Sequence, residues 1–326
     1  MPSLAFETVD AFTSTAFAGN PAAVIVLSKQ QTQEFDATQM QLIAREFNLS
    51  ETAFVCALND EVEVKAGEVE YLIRSTPKVP ICGHATLASS HCLFTKHHSD
   101  ARQINFKPLH SESLTIQRRA ADRIELNFPA DVSSHPRTIP KDSERWCLII
   151  KALGKALGVE VEPHVVAISD SVTGPLIDVS VDGINLETAK WKSQAFTAEV
   201  STFQVIVTQP ASKGEQQDVS SRVFGPVLGV PEDPVTGFAH TVLGPYLGKT
   251  SAAPHARLLA TKGLTTWSKD SMECKQLSER GGTLVVRWKD AKSGSHQFGR
   301  VGQDGDEGNV RVLNGLRLHV QALCML

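Results

Sequence analysis

Two six-residue segments carry the same pattern of residues that could do chemistry. Residues 80–85 read PICGHA and residues 234–239 read PVTGFA, so each has Pro, an aliphatic residue, a small nucleophilic side chain, Gly and Ala in register. Small and apolar residues follow each segment and predict a helix that begins at or just after Gly83 or Gly237. A helix N-terminus presents free backbone N–H groups, and a glycine lets a ligand approach them closely. Two such ends facing one cleft would bind a small carboxylate from both sides and could stabilise an enolate.

The residue that would move a proton to and from such an enolate has more than one candidate. Cys82 and Thr236 occupy equivalent positions in the two segments, where two cysteines would suit a racemase, but threonine is a poor proton donor or acceptor. Glu51 lies in NLSETAFV, where a predicted helix ends and a predicted strand begins. A partly buried carboxylate at such a junction would have a raised pKa and could take and return a proton. Because most glutamates are surface residues, the residues alone favour a turn or surface role for Glu51.

The residues before the second predicted helix, PEDPVTGFAH at 231–240, have two interpretations. In the first, Asp233 is a helix N-cap and Pro234 occupies the first turn, where its missing N–H costs nothing. In the second, the same residues form one wall of an active site. The two interpretations are compatible, because a cap at this position would also face a ligand at the helix end.

The organisation of the chain indicates two domains. Its 326 residues exceed the usual size of one compact domain. Patterns typical of helices and strands alternate in both halves, with helices predicted at ATQMQLIAREF, GHATLASSHCLF, ERWCLIIKALGKAL and FAHTVLGPYLG. The stretch ADVSSHPRTIPKDSE after Pro129 has the composition of a linker. We predict two α/β domains, residues 1–128 and residues 129–326, with the last strand a candidate to return to the first domain.

Composition argues against several classes of partner. A net charge of −4 provides no electrostatic attraction for nucleic acid or anionic membranes. No signal peptide or long apolar span is visible, and six cysteines without CxxC spacing are typical of a reduced, cytoplasmic protein. Glycine-rich nucleotide motifs are missing, and the pair His97-His98 lacks a third metal ligand at useful spacing. GQDGDEGN, at 302–309, predicts a hairpin turn rather than a calcium loop.

Five motifs resemble, in order, those of the phenazine-biosynthesis-like (PhzF-type) family: GNPAAV, NLSETAF, CGHATLAS, EDPVTGFAH and QLSERGG. The resemblance spans Asp10 to Gly282, which is nearly the whole chain. It implies the diaminopimelate epimerase-like fold, an α/β (α+β) architecture. In that fold two pseudo-symmetric domains each wrap a mixed sheet around a central helix, and the active site lies between them.

The resemblance also implies roles for individual residues. Glu51 would be the general acid/base of an isomerisation, while His84 and Asp233 would line the pocket and orient the substrate, with Asn20 in the same neighbourhood. The substrate would be a small carboxylate-bearing molecule, bound without a metal or an organic cofactor. The protein would form a homodimer.

The chain departs from the family pattern at two places. Phe238 follows the glycine of EDPVTG, where the family usually has serine, and STPKVPICGHAT has Lys78 but no glutamate before CGHAT. We expect Phe238 to line the pocket and alter specificity, and Asp233 to be both helix cap and pocket wall. The sequence thus predicts a cofactor-independent isomerase or epimerase. The alternatives are a catalytically silent binding or interaction protein on the same fold, and a dehydratase that uses Cys82 and Thr236.

Overall fold

The computed structural model describes residues 4–58, 67–76, 83–108, 113–119, 123–129, 136–171, 173–211, 214–248, 253–263, 271–289, 317–322 and 324–325. The strands within this part are β1 (Glu7–Ala11), β2 (Asn20–Leu27), β3 (Glu51–Ala57), β4 (Glu68–Thr76), β5 (Gln103–Pro108), β6 (Leu114–Arg118), β7 (Ile124–Pro129), β8 (Arg137–Thr138), β9 (Val165–Ser171), β10 (Gly174–Val179), β11 (Val205–Pro210), β12 (Val219–Phe224), β13 (Ser271–Gln276), β14 (Gly282–Lys289), β15 (Arg317–Ala322) and β16 (Cys324–Met325). The α-helices are α1 (Lys29–Glu34), α2 (Ala37–Phe47), α3 (Gly83–Cys92), α4 (Glu144–Leu157), α5 (Gly237–Gly248) and α6 (Ala253–Lys262). Cys82, Lys78 and the GQDGDEGN segment lie outside the described residues.

The strands pair in the same pattern twice along the chain. In the first half β1 to β7 are neighbours in order, with β2–β3 and β4–β5 parallel and the other pairs antiparallel. In the second half β9 to β15 repeat this order, with β10–β11 and β12–β13 parallel. Parallel neighbours need a crossover connection, and α3 between β4 and β5 matches α5 between β12 and β13. The predicted fold, two pseudo-symmetric α+β halves with mixed sheets, is confirmed.

The last strand of each half joins the two sheets. β7 and β15 pair antiparallel, with Leu126 opposite Val320. The chain then continues from β15 into β16, which pairs with β1 at the far edge of the first sheet. Correspondingly, β8 follows β7 and pairs with β9 of the second half. The predicted division after Phe128 falls inside β7, and the division into two domains stays a prediction because this strand belongs to the junction of both sheets.

A single hydrophobic core supports α3 and α5. Inside the first sheet, α3 contacts β1, β2, β3, β7 and β16. A helix that is enclosed on all sides needs small or apolar side chains all round, and the buried residues of α3 have this character: Ala85, Thr86, Leu87, Ala88, Ser89, Ser90 and Cys92. α5 contacts β14, β15 and α3 itself, and its buried apolar residues belong to the same hydrophobic core.

The predicted helices agree with the structure. ATQMQLIAREF and ERWCLIIKALGKAL form α2 and α4, and α3 and α5 begin at Gly83 and Gly237 as expected. GHATLASSHCLF differs at its end, where Leu93–His97 form a π-helical turn. Within the part of the chain that the structure describes, no helix combines the length and apolar composition needed to cross a membrane.

Candidate functional site

Asn20 connects the two halves of the molecule by hydrogen bonds. It is the first residue of β2 and is fully buried. Its Nδ2 donates to Asp233 Oδ1 at 2.9 Å and to the carbonyl oxygen of Val235 at 2.8 Å, both in the second half. Its Oδ1 accepts the Ser50 hydroxyl at 3.0 Å, from the first half. The asparagine therefore fixes the EDPVTG segment against the start of the first sheet.

His84 extends this connection to the first central helix. It is the second residue of α3, and its Nε2 lies 3.4 Å from Ser50 Oγ, so Ser50 links Asn20 to His84. Burial lowers the pKa of His84 to about 4. The imidazole is consequently neutral at pH 7 and can donate or accept a hydrogen bond without carrying a charge.

Glu51 lies beside this chain of hydrogen bonds. It follows Ser50 directly, begins β3, and is 5% exposed. Because β2 and β3 are parallel, with Ala22 opposite Glu51, the glutamate and Asn20 lie at the same end of two neighbouring strands. This position differs from the surface or turn role that the residues alone favoured, because the side chain is buried.

Asp233 accepts hydrogen bonds from residues of both halves of the molecule. Its Oδ2 accepts the hydroxyl of Thr236, and its Oδ1 accepts Asn20. Burial raises the pKa of Asp233 to about 6, although the hydrogen bonds from Thr236 and Asn20 oppose this change. An aspartate with this pKa exists in both protonation states near neutral pH, unlike an exposed aspartate.

The predicted N-cap role of Asp233 is wrong. α5 begins at Gly237, so the residue directly before the helix is Thr236, and Asp233 lies three residues further back. Its carboxylate accepts side-chain donors instead of capping the helix. Pro234 likewise precedes the helix and does not occupy its first turn.

Gln276 is a member of this site that the sequence analysis missed. It is fully buried at the end of β13, where Nε2 donates to the Asp233 carbonyl at 2.7 Å and Oε1 accepts the Thr236 backbone N–H at 2.9 Å. The side-chain amide thus holds both ends of the turn that leads into α5. The sequence pointed to this residue only through its position as the first residue of the QLSERGG motif.

Phe238 stands apart from the hydrogen-bonded residues. It is the second residue of α5, the position that His84 occupies in α3, and it is half-buried. Its ring contacts the edge of Phe203 with centroids 6.3 Å apart and planes at 84°. The neighbouring Gly237 packs against Phe12, whose Cζ would lie 3.1 Å from an added Cβ. The equivalent second position of the two central helices is therefore a polar histidine in α3 and an aromatic phenylalanine in α5.

The other residues that could carry chemistry have different surroundings in the structure. Cys82 lies outside the described residues, so its pairing with Thr236 stays a prediction, while the Thr236 hydroxyl donates to Asp233. His240 is fully buried, with Nδ1 2.8 Å from the Thr236 carbonyl, and burial lowers its pKa to about 4. It packs beneath the turn, as expected for a structural histidine. Among the described residues, no three His, Cys, Asp or Glu side chains group closely enough to hold a metal ion.

Comparison with known proteins assigns the chain to a family. The family model described as "Phenazine biosynthesis-like protein" matches residues 9–294. A phenazine biosynthesis-like domain-containing protein 1 of Mus musculus is 37% identical over 85% of this chain and 89% of its own length. A protein named as an uncharacterized isomerase of Pseudomonas aeruginosa is 36% identical over 87% of this chain and 90% of its own. The crystal structure of a PhzF family protein of Enterococcus faecalis has a TM-score of 0.69 and 26% identity, covering 99% of this chain and 96% of its own. The chain therefore belongs to the phenazine biosynthesis-like (PhzF-type) protein family.

Proposed function

We propose that the protein is a cofactor-independent isomerase or epimerase that moves a proton on a small carboxylate-bearing metabolite. The observation that supports this most is the hydrogen-bonded chain from Asp233 through Asn20 and Ser50 to His84, which brings the EDPVTG turn to the first residues of α3 beside a buried Glu51. The name of the Pseudomonas aeruginosa relative, an uncharacterized isomerase, supports the same class of reaction.

In this proposal the substrate carboxylate binds the backbone N–H groups at the starts of α3 and α5, near Gly83 and Gly237. Glu51 takes a proton from the carbon beside that carboxylate, and the electron pair of the C–H bond passes into an enolate. The helix N-termini stabilise the developing negative charge. Glu51 then returns the proton from its own side of the cleft, either to another carbon of an unsaturated substrate or, after the enolate has turned over, to the opposite face of the same carbon.

The polar residues around Glu51 have separate tasks in this scheme. His84 is neutral at pH 7 and can hold a substrate hydroxyl, amine or carbonyl by one hydrogen bond. Asp233, whose pKa is about 6, can accept a donor from the substrate when it is ionised and donate one when it is protonated. Asn20 and Gln276 fix the position of Asp233 through their side-chain amides.

Proton exchange with solvent tests the proposed activity without a guess at the product. The protein is incubated in deuterated water with individual small acids, and loss of the substrate C–H signal is followed by NMR. An acid that exchanges with the wild-type protein but not with Glu51→Gln identifies the substrate class. Tight binding of an acid without exchange would instead establish the silent binding protein.

We predict that Phe238→Ser raises affinity for hydroxylated acids about fivefold, because one added hydrogen bond contributes roughly 1 kcal/mol. Since Phe238 is half-buried, we expect a loss of about 2 kcal/mol in the free energy of unfolding, below the 3–5 kcal/mol of a fully buried phenylalanine. Calorimetric binding and urea unfolding measure the two quantities.

Phe203→Ala is the matched control for this substitution. It removes the same ring–ring contact but leaves the first turn of α5 intact, so ligand preference should not change. If Phe238→Ser costs more than about 3 kcal/mol and leaves ligand preference unchanged, Phe238 is a packing residue and not a specificity residue.

A further inference from the structure

Arg222 and Glu232 form a largely buried ion pair directly beside Asp233. Arg222 is on β12 and is 8% exposed, and its Nε and Nη2 each donate to one carboxylate oxygen of Glu232 at 2.6 Å. Its remaining nitrogen, Nη1, donates to the carbonyl oxygens of Leu186 at 3.0 Å and Ala189 at 3.3 Å. Every nitrogen of the guanidinium therefore has an acceptor, and a buried charge pair needs such additional hydrogen bonds to offset its desolvation.

Two aromatic rings pack against the same guanidinium. The Arg222 Cζ atom lies 5.6 Å from the centre of the Trp191 ring and 5.9 Å from the centre of the Phe224 ring, within the range of a cation–π contact. The two rings also contact each other, with centroids 4.8 Å apart. The hydrogen bonds and the ring contacts together fix the position of this positive charge.

The ion pair also fixes the backbone that carries Asp233. Glu232 is the residue before Asp233, and the Asp233 N–H donates at 3.0 Å to the carbonyl of Val223, the residue after Arg222 on β12. Two consecutive residues of the EDPVTG turn are therefore bound to two consecutive residues of one strand. The side-chain amides that hold the same turn from β2 and β13 carry no charge.

We propose that Arg222 and Glu232 are positioning residues for Asp233, which hold the aspartate where it meets the substrate. This inference rests on the proposed function, because that function gives Asp233 a contact with the substrate. Both residues of the pair act through the aspartate. Since the pair is neutral as a unit, it can fix the turn without placing a net charge beside Asp233.

The balance of the two charges matters because Asp233 titrates near neutral pH. Burial is the main cause that raises the pKa of Asp233 to about 6, and the charge of Glu232 acts in the same direction. The charge of Arg222 acts in the opposite direction, because a cation favours an ionised aspartate. Loss of either partner leaves the charge of the other without compensation in a largely buried place.

Other titratable or charged side chains lie on the elements packed around this turn, and all the variants below keep them. They are on α3, β3 and α5 and in the turn that follows Gln276: His84, Glu51, His240, Glu279 and Arg280, the last of which pairs with Asp10. Differences between the variants therefore report the charges at positions 222 and 232.

Titration of Asp233 by ¹³C NMR, with the side-chain carboxyl carbons of aspartate labelled, tests the proposal without a substrate. Glu232→Gln is expected to lower the pKa of Asp233 by about 1 pH unit, because it leaves the Arg222 charge unbalanced. Arg222→Gln is expected to raise the pKa by about 1 pH unit, because it leaves the Glu232 charge unbalanced. The double variant with both substitutions should restore a pKa close to that of the wild-type protein. The signal is assigned by its loss in Asp233→Asn.

Arg257→Gln is the matched control for these variants. Arg257 also forms an ion pair with a buried carboxylate of the second half, that of Asp178, but this pair joins α6 to β10 and not to the EDPVTG turn. Its loss should destabilise the fold and leave the pKa of Asp233 unchanged. An unchanged pKa in Glu232→Gln would overturn the proposal, and so would changes in the same direction in Glu232→Gln and Arg222→Gln. If Arg222→Gln does not fold, the result for Glu232→Gln decides.

Steady-state proton exchange connects the pair to the reaction. Arg222→Lys keeps the positive charge but cannot make two parallel bonds to Glu232, so the turn is held less firmly. We expect KM to rise about fivefold, which corresponds to one lost hydrogen bond, while kcat changes less than about twofold. If no acid exchanges, the proposed function fails, and opposite pKa changes in the two variants still support the positioning role. Exchange that depends on Glu51, without those pKa changes, would overturn the positioning role alone.

Discussion

Glu51→Gln is expected to lower the rate of substrate proton exchange by about 10²–10⁴-fold, which is the usual contribution of a general acid/base. The amide keeps the size of the carboxylate but cannot take up the substrate proton. Because Glu51 is 5% exposed at the start of β3, a substitution of equal volume should preserve the local packing. Exchange is followed by NMR in deuterated water, and binding of the same acid is followed by calorimetry. Affinity should change much less than rate.

Cys82→Ser is the companion variant for this prediction. If Glu51 moves the proton, Cys82→Ser keeps most of the exchange activity and Glu51→Gln loses it. The opposite result, with exchange retained in Glu51→Gln and lost in Cys82→Ser, would assign the proton transfer to the thiol. Thr236 is a weak partner for such a thiol, because its hydroxyl donates to Asp233 in the structure.

The architecture could be predicted from sequence because the two halves repeat both a motif and its surroundings. PICGHA and PVTGFA each precede a helix of small residues, and this composition is required of a helix that a sheet encloses. β10 shows where local pattern fails. It begins with Gly174-Pro175, a pair that indicates a turn, yet it pairs with β9 and β11 on either side. Hydrogen bonds to the two neighbouring strands determine its conformation, and the residues of β10 alone do not indicate these bonds.

The site could be predicted only as far as its motifs could be recognised. Glu51, His84 and Asp233 each lie in a motif with a chemical group that suggests a role. The contacts that position them join distant parts of the chain: Asn20 to Asp233 spans 213 residues and Arg280 to Asp10 spans 270 residues. No periodicity or spacing in the sequence reports such pairs, and for that reason the contacts of Gln276 and of Arg280 emerged only from the structure.

The second large effect concerns the dependence of stability on pH. Burial raises the pKa of Asp233 to about 6 and lowers the pKa values of His84 and His240 to about 4. Between pH 4 and 6, the folded protein therefore holds one proton on Asp233 that the unfolded chain has lost. It lacks two protons that the unfolded chain carries on His84 and His240. For these three groups the unfolded chain binds one more proton, so their contribution to the free energy of unfolding rises with pH by about 1.4 kcal/mol per pH unit.

Of the three groups, Asp233 alone makes the free energy of unfolding fall as pH rises, and Asp233→Asn removes it. The raised pKa of Asp233 destabilises the folded protein progressively as pH rises through this window, and it partly offsets the gain from the two histidines. In the variant only the histidines remain, and the slope contributed by these groups should double to about 2.8 kcal/mol per pH unit. Urea unfolding of both proteins at pH 4.5, 5.5 and 6.5 measures the difference, because all other titrating groups are shared. Between pH 4.5 and 6.5 the two curves should diverge by about 2 kcal/mol, whatever constant offset the amide introduces. Parallel curves would mean that Asp233 titrates like an exposed carboxylate, and its proposed ability to donate and accept near neutral pH would have to be abandoned.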